Sequence, residues 1–506
     1  MTAYRRQRTG EMRGKPPTSH LPPHTSHFEG GLQHFMPIKF GTDGWRAIIA
    51  DEFTFTNVRL VTQATANYLL QKNGPRQLII GYDNRFLAPE FARSVAEVLT
   101  ANGFTVYLPS RSVPTPVTAW AIKKYGAAGA LMLTASHNPP EYCGLKFIPE
   151  YAGPALPETT SAIEREIAAV GAGGEVKTLD LDTALGRGVV RELEPAGDYR
   201  EYLRGLIDVE TLRRAALKVV VDPLYGAGIG YLEDFLREAG CQVEVIHNHR
   251  DPLFGGALPD PSARGLEELS RRVRETGAHL GLALDGDADR FGVVDGDGTY
   301  LTANQILYLV LAHLVLDRQY SGPVARTVAT THNLDLLARA HDLEVIETPV
   351  GFKYIGAALR EKSCILGGEE SGGLSIRGHI PEKDGILATA LVAELRAVQD
   401  RSLGAILGDL QSRYGQLVNQ RLDLKVDPAT KERVLQELPG FAPAKVAGIP
   451  VTSRLTVDGV RLTLADGSWV LLRPSGTEPL LRLYAEAPDG ERLRQIQQDI
   501  TTALRI

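Results

Sequence analysis

Short apolar runs rich in β-branched residues alternate along the chain with segments of helical periodicity. Three of these runs end in polar turns: Leu78–Arg85, Leu217–Pro223 and Val324–Thr331. The helical segments that follow them are Pro89–Ala101, Tyr231–Ala239 and Leu334–Ala340. Strands that alternate with helices are typical of βαβ units, and the similar order of strand, turn and helix suggests a faint three-fold repeat. The pattern predicts an α/β fold with mixed or parallel sheets.

Three further apolar runs predict individual elements. Ala128–Leu133 reads as a strand that ends just before Thr134, and Leu280–Leu284 reads as a short buried strand. The run Ile306–Leu316 is interrupted by His313 and is much shorter than the roughly 20 residues that cross a bilayer. We therefore expect a buried helix there and no transmembrane span.

Residues 1–35 differ in kind from the rest of the chain. They mix arginines, histidines and prolines without apolar periodicity, which predicts a disordered extension. An organellar transit peptide is the alternative, since such segments are rich in arginine and poor in acids, although little amphipathic patterning supports it. Met36 directly precedes the first globular motif and is a candidate initiator. A protein that begins there is expected to keep its activity and thermal stability.

The composition narrows the class of protein. A length of 506 residues corresponds to about three to four domains. With 43% hydrophobic and 23% charged residues, the chain is typical of soluble globular proteins. A net charge of −6 predicts neither a nucleic-acid partner nor binding to an anionic membrane, so an anionic substrate must be met by local cations. Three scattered cysteines, without the spacing of a metal or redox motif, indicate a reducing cytoplasm.

The segment Thr134–Pro140 offers a serine and a histidine in a proline-bounded turn at the tip of the predicted strand. An inert turn is the alternative interpretation of such a sequence. Ser136 is the candidate nucleophile, because a stored phosphoserine can donate its phosphoryl group. His137 is a candidate for proton transfer or for holding the loop.

The segment Asp285–Arg290 carries aspartates at alternate positions, after the predicted buried strand. In an extended segment, carboxylates at Asp285, Asp287 and Asp289 leave on one face and can converge on a hard cation. An EF-hand calcium loop does not fit, because Arg290 stands where that loop needs glycine. Mg²⁺ is preferred, since all the ligands are oxygens. In contrast, Asp295–Gly298 reads as a hairpin turn.

Two more segments complete the candidate chemistry. Glu369 and Ser371 can accept and donate hydrogen bonds to vicinal hydroxyls, whereas Glu370 is expected to face solvent. Near the C-terminus, Arg473 precedes Ser475, Gly476 and Thr477, which can cradle a dianion with hydroxyls and backbone N–H groups, although such a sequence is also a common turn. The candidate chemistry thus consists of a nucleophile (Ser136), a cation cage (Asp285, Asp287 and Asp289), side chains that bind hydroxyls (Glu369 and Ser371) and an anion cradle (Arg473, Ser475, Gly476 and Thr477). Together these sites indicate phosphoryl transfer on a polyol.

These segments, in this order, resemble the α-D-phosphohexomutase family, which includes phosphoglucomutase and phosphomannomutase. The resemblance covers roughly residues 36–506 and begins at Phe40–Arg46. It implies three similar α/β domains with mixed sheets and a smaller C-terminal α+β domain around a central cleft. The ranges we expect are a disordered extension at 1–35, a phosphoserine-loop domain at 36–190, a metal-loop domain at 191–300, a sugar-loop domain at 301–415 and a phosphate-loop domain at 416–506.

The resemblance also implies roles for residues. Ser136, as phosphoserine, would convert a hexose monophosphate into its isomer through a 1,6-bisphosphate, with Ser136 and the three aspartates around Mg²⁺. The expected catalytic side chains, in addition to the serine, are those of Arg46, His137, Lys146 and Arg290. The expected substrate contacts are those of Thr348, Gly351, Lys353, Glu369, Ser371 and Lys383, with Arg473, Ser475, Gly476 and Thr477 on the distal phosphate.

Two groups of segments point to different substrate classes. Thr348–Lys353 and His379–Gly385 resemble glucose-specific phosphoglucomutases, and Gly373 replaces a histidine common in dual-specificity bacterial enzymes. In contrast, Asp285–Gly292 is typical of the broader bacterial group. We expect glucose 1-phosphate and glucose 6-phosphate as substrates, with mannose phosphates not excluded and glucose 1,6-bisphosphate as activator and intermediate. A hexose 1,6-bisphosphate synthase and a non-catalytic sugar-phosphate sensor are the alternatives; the sequence does not predict an oligomeric state.

Overall fold

The computed structural model describes residues 38–41, 44–474 and 480–506, in which the predicted alternation of strands and helices forms four sheets. The expectations for residues 1–35, and for Ser475, Gly476 and Thr477, lie outside the described residues. In the described part, no helix is long and apolar enough to span a membrane.

The first sheet has the strand order β1-β5-β4-β2-β3-β6. Strands β2, β3, β4 and β6 run parallel, and β5 lies antiparallel between β4 and the edge strand β1. The bounds are β1 (Trp45–Ile48), β2 (Gln77–Tyr82), β3 (Thr105–Pro109), β4 (Gly129–Leu133), β5 (Tyr142–Pro149) and β6 (Val190–Leu193).

The second and third sheets repeat the central part of the first. Their orders are β11-β10-β9-β7-β8 and β13-β12-β14-β15, and in both an antiparallel strand follows three parallel ones. The bounds are β7 (Lys218–Asp222), β8 (Gln242–Val245), β9 (Leu280–Leu284), β10 (Phe291–Asp295), β11 (Tyr300–Leu301), β12 (Val324–Thr327), β13 (Val345–Thr348), β14 (Leu366–Glu369) and β15 (Gly373–Ile376).

The three-fold repeat predicted from the sequence is therefore confirmed. The runs that carried it became β2, β7 and β12, which hold equivalent places in the orders β5-β4-β2-β3, β10-β9-β7-β8 and β15-β14-β12-β13. In the three sheets, one turn leads directly from the parallel strands β4, β9 and β14 into the antiparallel strands β5, β10 and β15, respectively.

The fourth sheet is antiparallel, with the order β16-β21-β20-β19-β18-β17. Its strands are β16 (Val418–Lys425), β17 (Lys445–Val446), β18 (Ile449–Leu455), β19 (Val460–Leu464), β20 (Trp469–Pro474) and β21 (Leu480–Ala487). It has a separate apolar core, to which Leu472, Leu483 and Ile496 contribute.

Helices cover the sheets. Those of the first sheet are α1 (Phe55–Leu70), α2 (Ala88–Ala101), α3 (Thr115–Tyr125), α4 (Pro157–Gly171) and α5 (Leu181–Gly186). Those that follow along the chain are α6 (Ala196–Arg204), α7 (Val209–Ala215), α8 (Leu232–Glu238), α9 (Glu267–Thr276), α10 (Ala303–Ala312), α11 (Asn333–Ala340), α12 (Phe352–Lys362), α13 (Gly385–Gln399), α14 (Leu403–Tyr414), α15 (Pro428–Glu437) and α16 (Gly490–Leu504). Short 3₁₀ turns occur at Phe254–Gly256 and Leu438–Gly440.

The predicted buried elements are present, with one change. Leu280–Leu284 is a fully buried strand, and Asp295 begins the predicted hairpin between β10 and β11. The helix expected over Ile306–Leu316 is α-helical only to Ala312 and continues as a π turn, His313–Asp317. The buried His313 ring contacts Asp317 at 2.8 Å and Glu394 at 3.1 Å, so this turn supports a polar cluster within the core.

The domain boundaries expected near residues 190, 300 and 415 stay predictions, and the following elements lie at these three positions. Val190 is the first residue of β6, which pairs with β3 of the first sheet. Tyr300 begins the short edge strand β11 of the second sheet. The last boundary follows α14, three residues before β16 begins at Val418.

Candidate active site

Three of the predicted motifs occupy equivalent turns of the repeated sheets. Ser136 lies between β4 and β5, the aspartate segment 285–290 between β9 and β10, and residues 370–372 between β14 and β15. The fold brings the first two turns into contact, since Ser136 Oγ donates a hydrogen bond of 2.7 Å to Asp285 Oδ2. The repeat therefore assembles a shared cluster from distant parts of the sequence.

Ser136 is held in an unusual backbone conformation. Its φ of +50° lies in the left-handed region, and its backbone N–H donates to Thr134 Oγ1 at 2.8 Å. The serine is only 1% exposed. The aspartate turn covers the tip of the strand and buries this hydroxyl.

Sequence reasoning did not assign Arg85 a role, but its fully buried guanidinium organises the serine loop. It pairs with Asp83, whose Oδ2 lies 3.1 Å from Arg85 Nε and also accepts from Thr134 Oγ1 at 2.6 Å. The guanidinium donates to four backbone carbonyls at 2.6–2.9 Å, those of Ser136, Asn138, Pro139 and Tyr142. The sequence did contain a signal for this role of Arg85. The polar turn 83–85 follows β2, and β2 runs parallel to β4, so both strands end at the same edge of the sheet.

The aspartate segment is a turn and not an extended strand. Ala288 has a φ of +59°, and its N–H donates to the carbonyl of Asp285 at 3.0 Å. The expected mechanism of convergence was therefore wrong, because side chains at alternate positions meet through a bend of the backbone. Convergence itself occurs, since one carboxylate oxygen from each of Asp285, Asp287 and Asp289 lies within 4.8 Å of the others.

The three carboxylates fit a bound cation. All three residues are buried, and the Oδ1 atoms of Asp287 and Asp289 have no hydrogen-bond partner among the described residues. Buried carboxylate oxygens without partners are costly unless a cation neutralises them. Burial, together with the charges of Asp287 and Asp289, raises the pKa of Asp285 well above its ordinary value. This repulsion is what a divalent cation would relieve.

Lys146 projects from β5 into the same cluster. Its Nζ lies 3.0 Å from Asp287 Oδ2 and 3.1 Å from Asp289 Oδ2. Thr115, which the sequence did not single out, donates from Oγ1 to Asp287 Oδ2 at 2.6 Å. Although burial opposes ionisation, the Lys146 ammonium and the Thr115 hydroxyl hold the pKa of Asp287 below its ordinary value.

The other predicted catalytic side chains surround the serine. His137 Nδ1 lies 3.4 Å from Ser136 Oγ, and Arg46 donates to Asn138 Oδ1 at 2.7 Å. Arg290 donates its backbone N–H to Asp285 Oδ1 at 3.0 Å. The positive charge of Arg290, burial and the charge of Arg46 hold the pKa of His137 well below its usual range, so its imidazole is neutral.

Part of the predicted sugar-binding set adjoins this cluster. Lys383 Nζ lies 3.3 Å from Asp289 Oδ2, and Ser371 Oγ donates to Glu369 Oε1 at 2.8 Å. Burial raises the pKa of Glu369. A Cβ atom at Gly373 would lie 2.7 Å from Lys383 Cδ, so the lysine stem fills the space beside this glycine.

The remaining predicted substrate-binding residues, Thr348, Gly351 and Lys353, have other neighbours, and Glu370 differs from its predicted exposure to solvent. The Thr348 hydroxyl bonds to the carbonyl of Pro349 at 3.0 Å, and Gly351 precedes α12 with a φ of +124°. Lys353 Nζ lies 5.4 Å from the ring centroid of Tyr354. Glu370 does not simply face solvent, because it is half-buried and accepts a hydrogen bond of 3.2 Å from Thr327 Oγ1.

Arg473 is the described part of the predicted anion cradle. It lies in β20, and its Nε donates to Asp458 Oδ1 at 2.8 Å. Ser475, Gly476 and Thr477, the other predicted members of this site, lie outside the described residues.

Domain models of phosphoglucomutase/phosphomannomutase match nearly the whole described chain. Alpha/beta/alpha domain I matches residues 37–172, domain II matches 197–298, domain III matches 302–414 and the C-terminal domain matches 417–503. A phosphoglucomutase/phosphomannomutase of Thermococcus kodakarensis is 30% identical over 457 residues, 90% of this chain and 96% of the relative.

Two further relatives extend the comparison. A candidate phosphoglucosamine mutase of Methanopyrus kandleri is 32% identical over 484 residues, 92% of this chain and 97% of that protein. The crystal structure of a candidate phosphomannomutase from Thermus thermophilus superposes with a TM-score of 0.80 at 32% identity, covering 93% of this chain and 99% of the other.

The fold and site define a four-domain α/β phosphotransferase of the phosphohexomutase class. The chain belongs to the phosphoglucomutase/phosphomannomutase family.

Proposed function

We propose that the protein interconverts glucose 1-phosphate and glucose 6-phosphate through phosphorylated Ser136 and a glucose 1,6-bisphosphate intermediate. The observation that carries this proposal is the contact of 2.7 Å between Ser136 Oγ and Asp285 Oδ2, within a buried cluster of three carboxylates. A nucleophile beside a cation cage is the arrangement that phosphoryl transfer needs. The presence of both argues against a sugar-phosphate sensor that lacks catalysis.

The reaction proceeds in two balanced transfers. In the first, the bond between Ser136 Oγ and phosphorus breaks, a sugar hydroxyl loses its proton as its oxygen bonds to the phosphorus, and Ser136 Oγ takes up a proton. In the second, Ser136 Oγ loses this proton and bonds to the phosphorus at the other end of the bisphosphate, while the bond from that phosphorus to the sugar oxygen breaks and the sugar oxygen takes up a proton. His137 is a candidate to move these protons, because its neutral Nδ1 lies 3.4 Å from the serine oxygen. Lys146 and Arg46 are the alternative candidates.

Mg²⁺ is the proposed cofactor, held by Asp285, Asp287, Asp289 and the phosphorylated Ser136. When bound, it supplies positive charge to the phosphoryl oxygens during transfer. The Oδ1 atoms of Asp287 and Asp289, which have no hydrogen-bond partner in the described part of the chain, support this assignment. The Lys146 ammonium lies 3.0 Å from Asp287 Oδ2 and 3.1 Å from Asp289 Oδ2 and so holds these two side chains close together.

The remaining predicted residues would hold the sugar in both orientations. Glu369, Ser371 and Lys383 are proposed to read its hydroxyls, and Thr348, Gly351 and Lys353 to line the same side. Arg473, with Ser475, Gly476 and Thr477, would bind the phosphate that is not being transferred. A mutase must use this phosphate site for either end of the bisphosphate.

Glucose is the preferred hexose. The segments 348–353 and 379–385 resemble glucose-specific enzymes, and the Lys383 stem occupies the space beside Gly373. The relatives named for mannose and glucosamine phosphates make these the competing substrates. The three sugars differ at C2, where an unpaired polar contact costs about 1–3 kcal/mol. We therefore expect a preference of roughly 5- to 150-fold in kcat/KM, and not exclusivity.

The test combines substrate kinetics with the Ser136→Ala variant. Wild type should turn over glucose 1-phosphate with the highest kcat/KM of the glucose, mannose and glucosamine 1-phosphates. Ser136→Ala should be inactive, whereas Ser270→Ala in α9 should match wild type. Intact mass should show phosphate on wild type and on Ser270→Ala but not on Ser136→Ala. Residual turnover in folded Ser136→Ala would contradict the phosphoserine mechanism.

A second arm separates mutase from bisphosphate synthase. Mutase activity should be stimulated by catalytic amounts of glucose 1,6-bisphosphate, which is regenerated in each cycle. Stoichiometric production of glucose 1,6-bisphosphate from another bisphosphate donor, with little isomerisation, would instead identify a synthase. A mannose or glucosamine preference would change the substrate and leave the phosphoserine chemistry in place.

A further inference from the structure

Asp458 joins two parts of the protein that are expected to contact opposite ends of the substrate. It lies in the turn between β18 and β19, and its Oδ1 accepts from Arg473 Nε at 2.8 Å. Its Oδ2 accepts from the backbone N–H of Val350 at 3.2 Å. One carboxylate therefore bridges the arginine of the anion cradle and the segment 348–353, here called the 348–353 loop, which runs from the last residue of β13 to the second residue of α12.

The position of this carboxylate is fixed by its neighbour. Gly459 has a φ of +87°, and a Cβ atom there would lie 2.1 Å from the carbonyl oxygen of Leu472. Only glycine therefore lets the turn lie this close to β20, one residue before Arg473. The side chains of Asp458 and Arg473 are 23% and 17% exposed, so solvent only partly screens their interaction.

The adjoining contacts keep the same two segments together. Arg461, three residues after Asp458, pairs with Glu347, which also accepts from Arg326 at 2.6 Å. Val350 also packs in a small apolar cluster with Trp469 and Leu471 of β20. The end of β13 and the 458–461 turn thus meet along a continuous surface, and Asp458 is the member of it that touches Arg473.

We propose that Asp458 is a positioning residue that couples the phosphate contact of Arg473 to the sugar contacts of the 348–353 loop. The guanidinium has five N–H donors in a planar fork. A carboxylate on Nε fixes the plane of the fork and directs its outer nitrogens toward an oxyanion. Because the second oxygen of Asp458 holds the Val350 N–H, the arginine and the sugar loop take up their places together. This inference rests on the proposed role of Arg473 in substrate binding.

The direction in which phosphate binding changes when the Asp458 carboxylate is removed distinguishes coupling from simple charge repulsion. A carboxylate beside an anion site repels a phosphate, so its removal should strengthen binding if charge alone matters. If Asp458 instead orients Arg473, its removal should weaken binding. The two interpretations predict opposite changes for Asp458→Ala.

The experiment measures binding of glucose 1-phosphate by calorimetry in full-length Ser136→Ala protein, which cannot turn the ligand over. Asp458→Ala should raise the dissociation constant about 10-fold, the size expected for a charge-assisted hydrogen bond. Asp458→Asn, which keeps one acceptor oxygen, should give a smaller rise and also carries the test if the alanine variant does not fold. The matched control is Asp466→Ala. Asp466 lies in an equivalent turn, directly before Gly467, whose φ is +85°. This variant should bind glucose 1-phosphate as tightly as the parent protein does.

A double-mutant cycle shows whether Asp458 acts through Arg473. The pair Asp458→Ala with Arg473→Ala should bind no more weakly than Arg473→Ala alone, within about 2-fold. Additive losses, or unchanged or tighter binding in Asp458→Ala, would overturn the coupling. If Arg473→Ala itself binds normally, the proposed phosphate site fails and the coupling fails with it. If Arg473→Ala binds glucose 1-phosphate more weakly but Asp458→Ala does not, the phosphate site is supported and the coupling is wrong.

Discussion

The two carboxylate oxygens of Asp287 have different surroundings. Its Oδ2 accepts from Thr115 and Lys146, while its Oδ1 has no hydrogen-bond partner among the described residues. The protein thereby orients the first oxygen and leaves the second available to coordinate a cation. This division is what a metal site requires, since supporting contacts fix the direction of the coordinating atom.

Asp287→Asn should keep the shape of this side chain and remove one negative charge from the cluster. We expect turnover to fall by about 10²-fold or more, with a higher Mg²⁺ requirement. Mg²⁺ should also raise the melting temperature of wild type but raise that of Asp287→Asn much less, because binding to the folded state stabilises it. Asp297→Asn, in the exposed hairpin turn, is the control. Activity that is unaffected by EDTA would contradict the metal assignment.

The serine loop depends on Arg85 as a structural element. The left-handed conformation of Ser136 is unfavourable for a residue with a side chain, so the contacts around it must hold it in place. The four carbonyl acceptors of Arg85 supply such contacts. A planar guanidinium can reach acceptors in several directions at once, which an ammonium cannot reproduce.

Arg85→Lys should therefore loosen the loop while keeping the positive charge beside Asp83. We expect kcat to fall more than 10-fold with little change in KM, and stability to fall by about 1–3 kcal/mol, because buried carbonyls lose their donors. Steady-state kinetics and denaturant unfolding measure the two effects. Arg93→Lys, on the exposed side of α2, should leave both unchanged. A normal kcat in Arg85→Lys would show that the loop holds itself.

The parallel strands β7 and β8 are tied together at their carboxyl ends by His247 and Asp222. His247 Nδ1 lies 3.0 Å from both carboxylate oxygens. The hydrogen bond with Asp222 raises the pKa of His247, against the opposing effect of burial, and Glu268 adds to the increase. The ion pair is therefore favoured in the folded protein relative to the unfolded chain.

This shift predicts how stability depends on pH. A histidine with a raised pKa in the folded state stabilises fully below its unfolded pKa of about 6.5, and the stabilisation is lost as pH rises through the folded pKa. The difference in unfolding free energy between wild type and His247→Gln should therefore be largest at acidic pH and shrink above neutrality. Urea unfolding across this pH range measures it. A difference that grows with pH would contradict the ion pair.

Across the whole molecule, the third and fourth sheets meet at the buried carboxylate of Glu486. It accepts from the His332 N–H at 2.8 Å and from the Trp469 indole at 2.8 Å, and the Thr331 hydroxyl donates to it as well. Burial raises the pKa of Glu486, and these donors oppose the increase. The fourth sheet has its own core, so this polar contact is one of the features that dock it on the rest.

Glu486→Gln should weaken this docking, because an amide NH₂ group cannot accept from the donors that face it. We expect stability to fall by about 1–3 kcal/mol. Calorimetry should resolve an earlier transition for the C-terminal part, which holds Arg473, together with a raised KM for the sugar phosphate. Glu491→Gln, exposed in α16, is the control. A single transition at the wild-type temperature would show that the sheets dock without this carboxylate.

Much of the fold could be predicted from the sequence because its signals are local. Apolar runs such as Leu280–Leu284 became strands, and the repeated order of strand, turn and helix became three equivalent sheets. The aspartate spacing still indicated a cation site, although the backbone is bent and not extended. Three carboxylates within five residues converge or repel one another in both backbone geometries.

The sequence alone therefore determined the α/β class, the repeat, the family and the candidate nucleophile and cation cage. Only the tertiary structure decided what supports them. Arg85 reaches the carbonyl of Ser136 across 51 residues of sequence, Thr115 reaches Asp287 across 172, and Asp458 reaches Val350 across 108. The physical reason is that hydrophobic periodicity and turn chemistry act over a few residues, whereas these hydrogen bonds depend on which sheet edges and turns the packed core brings together.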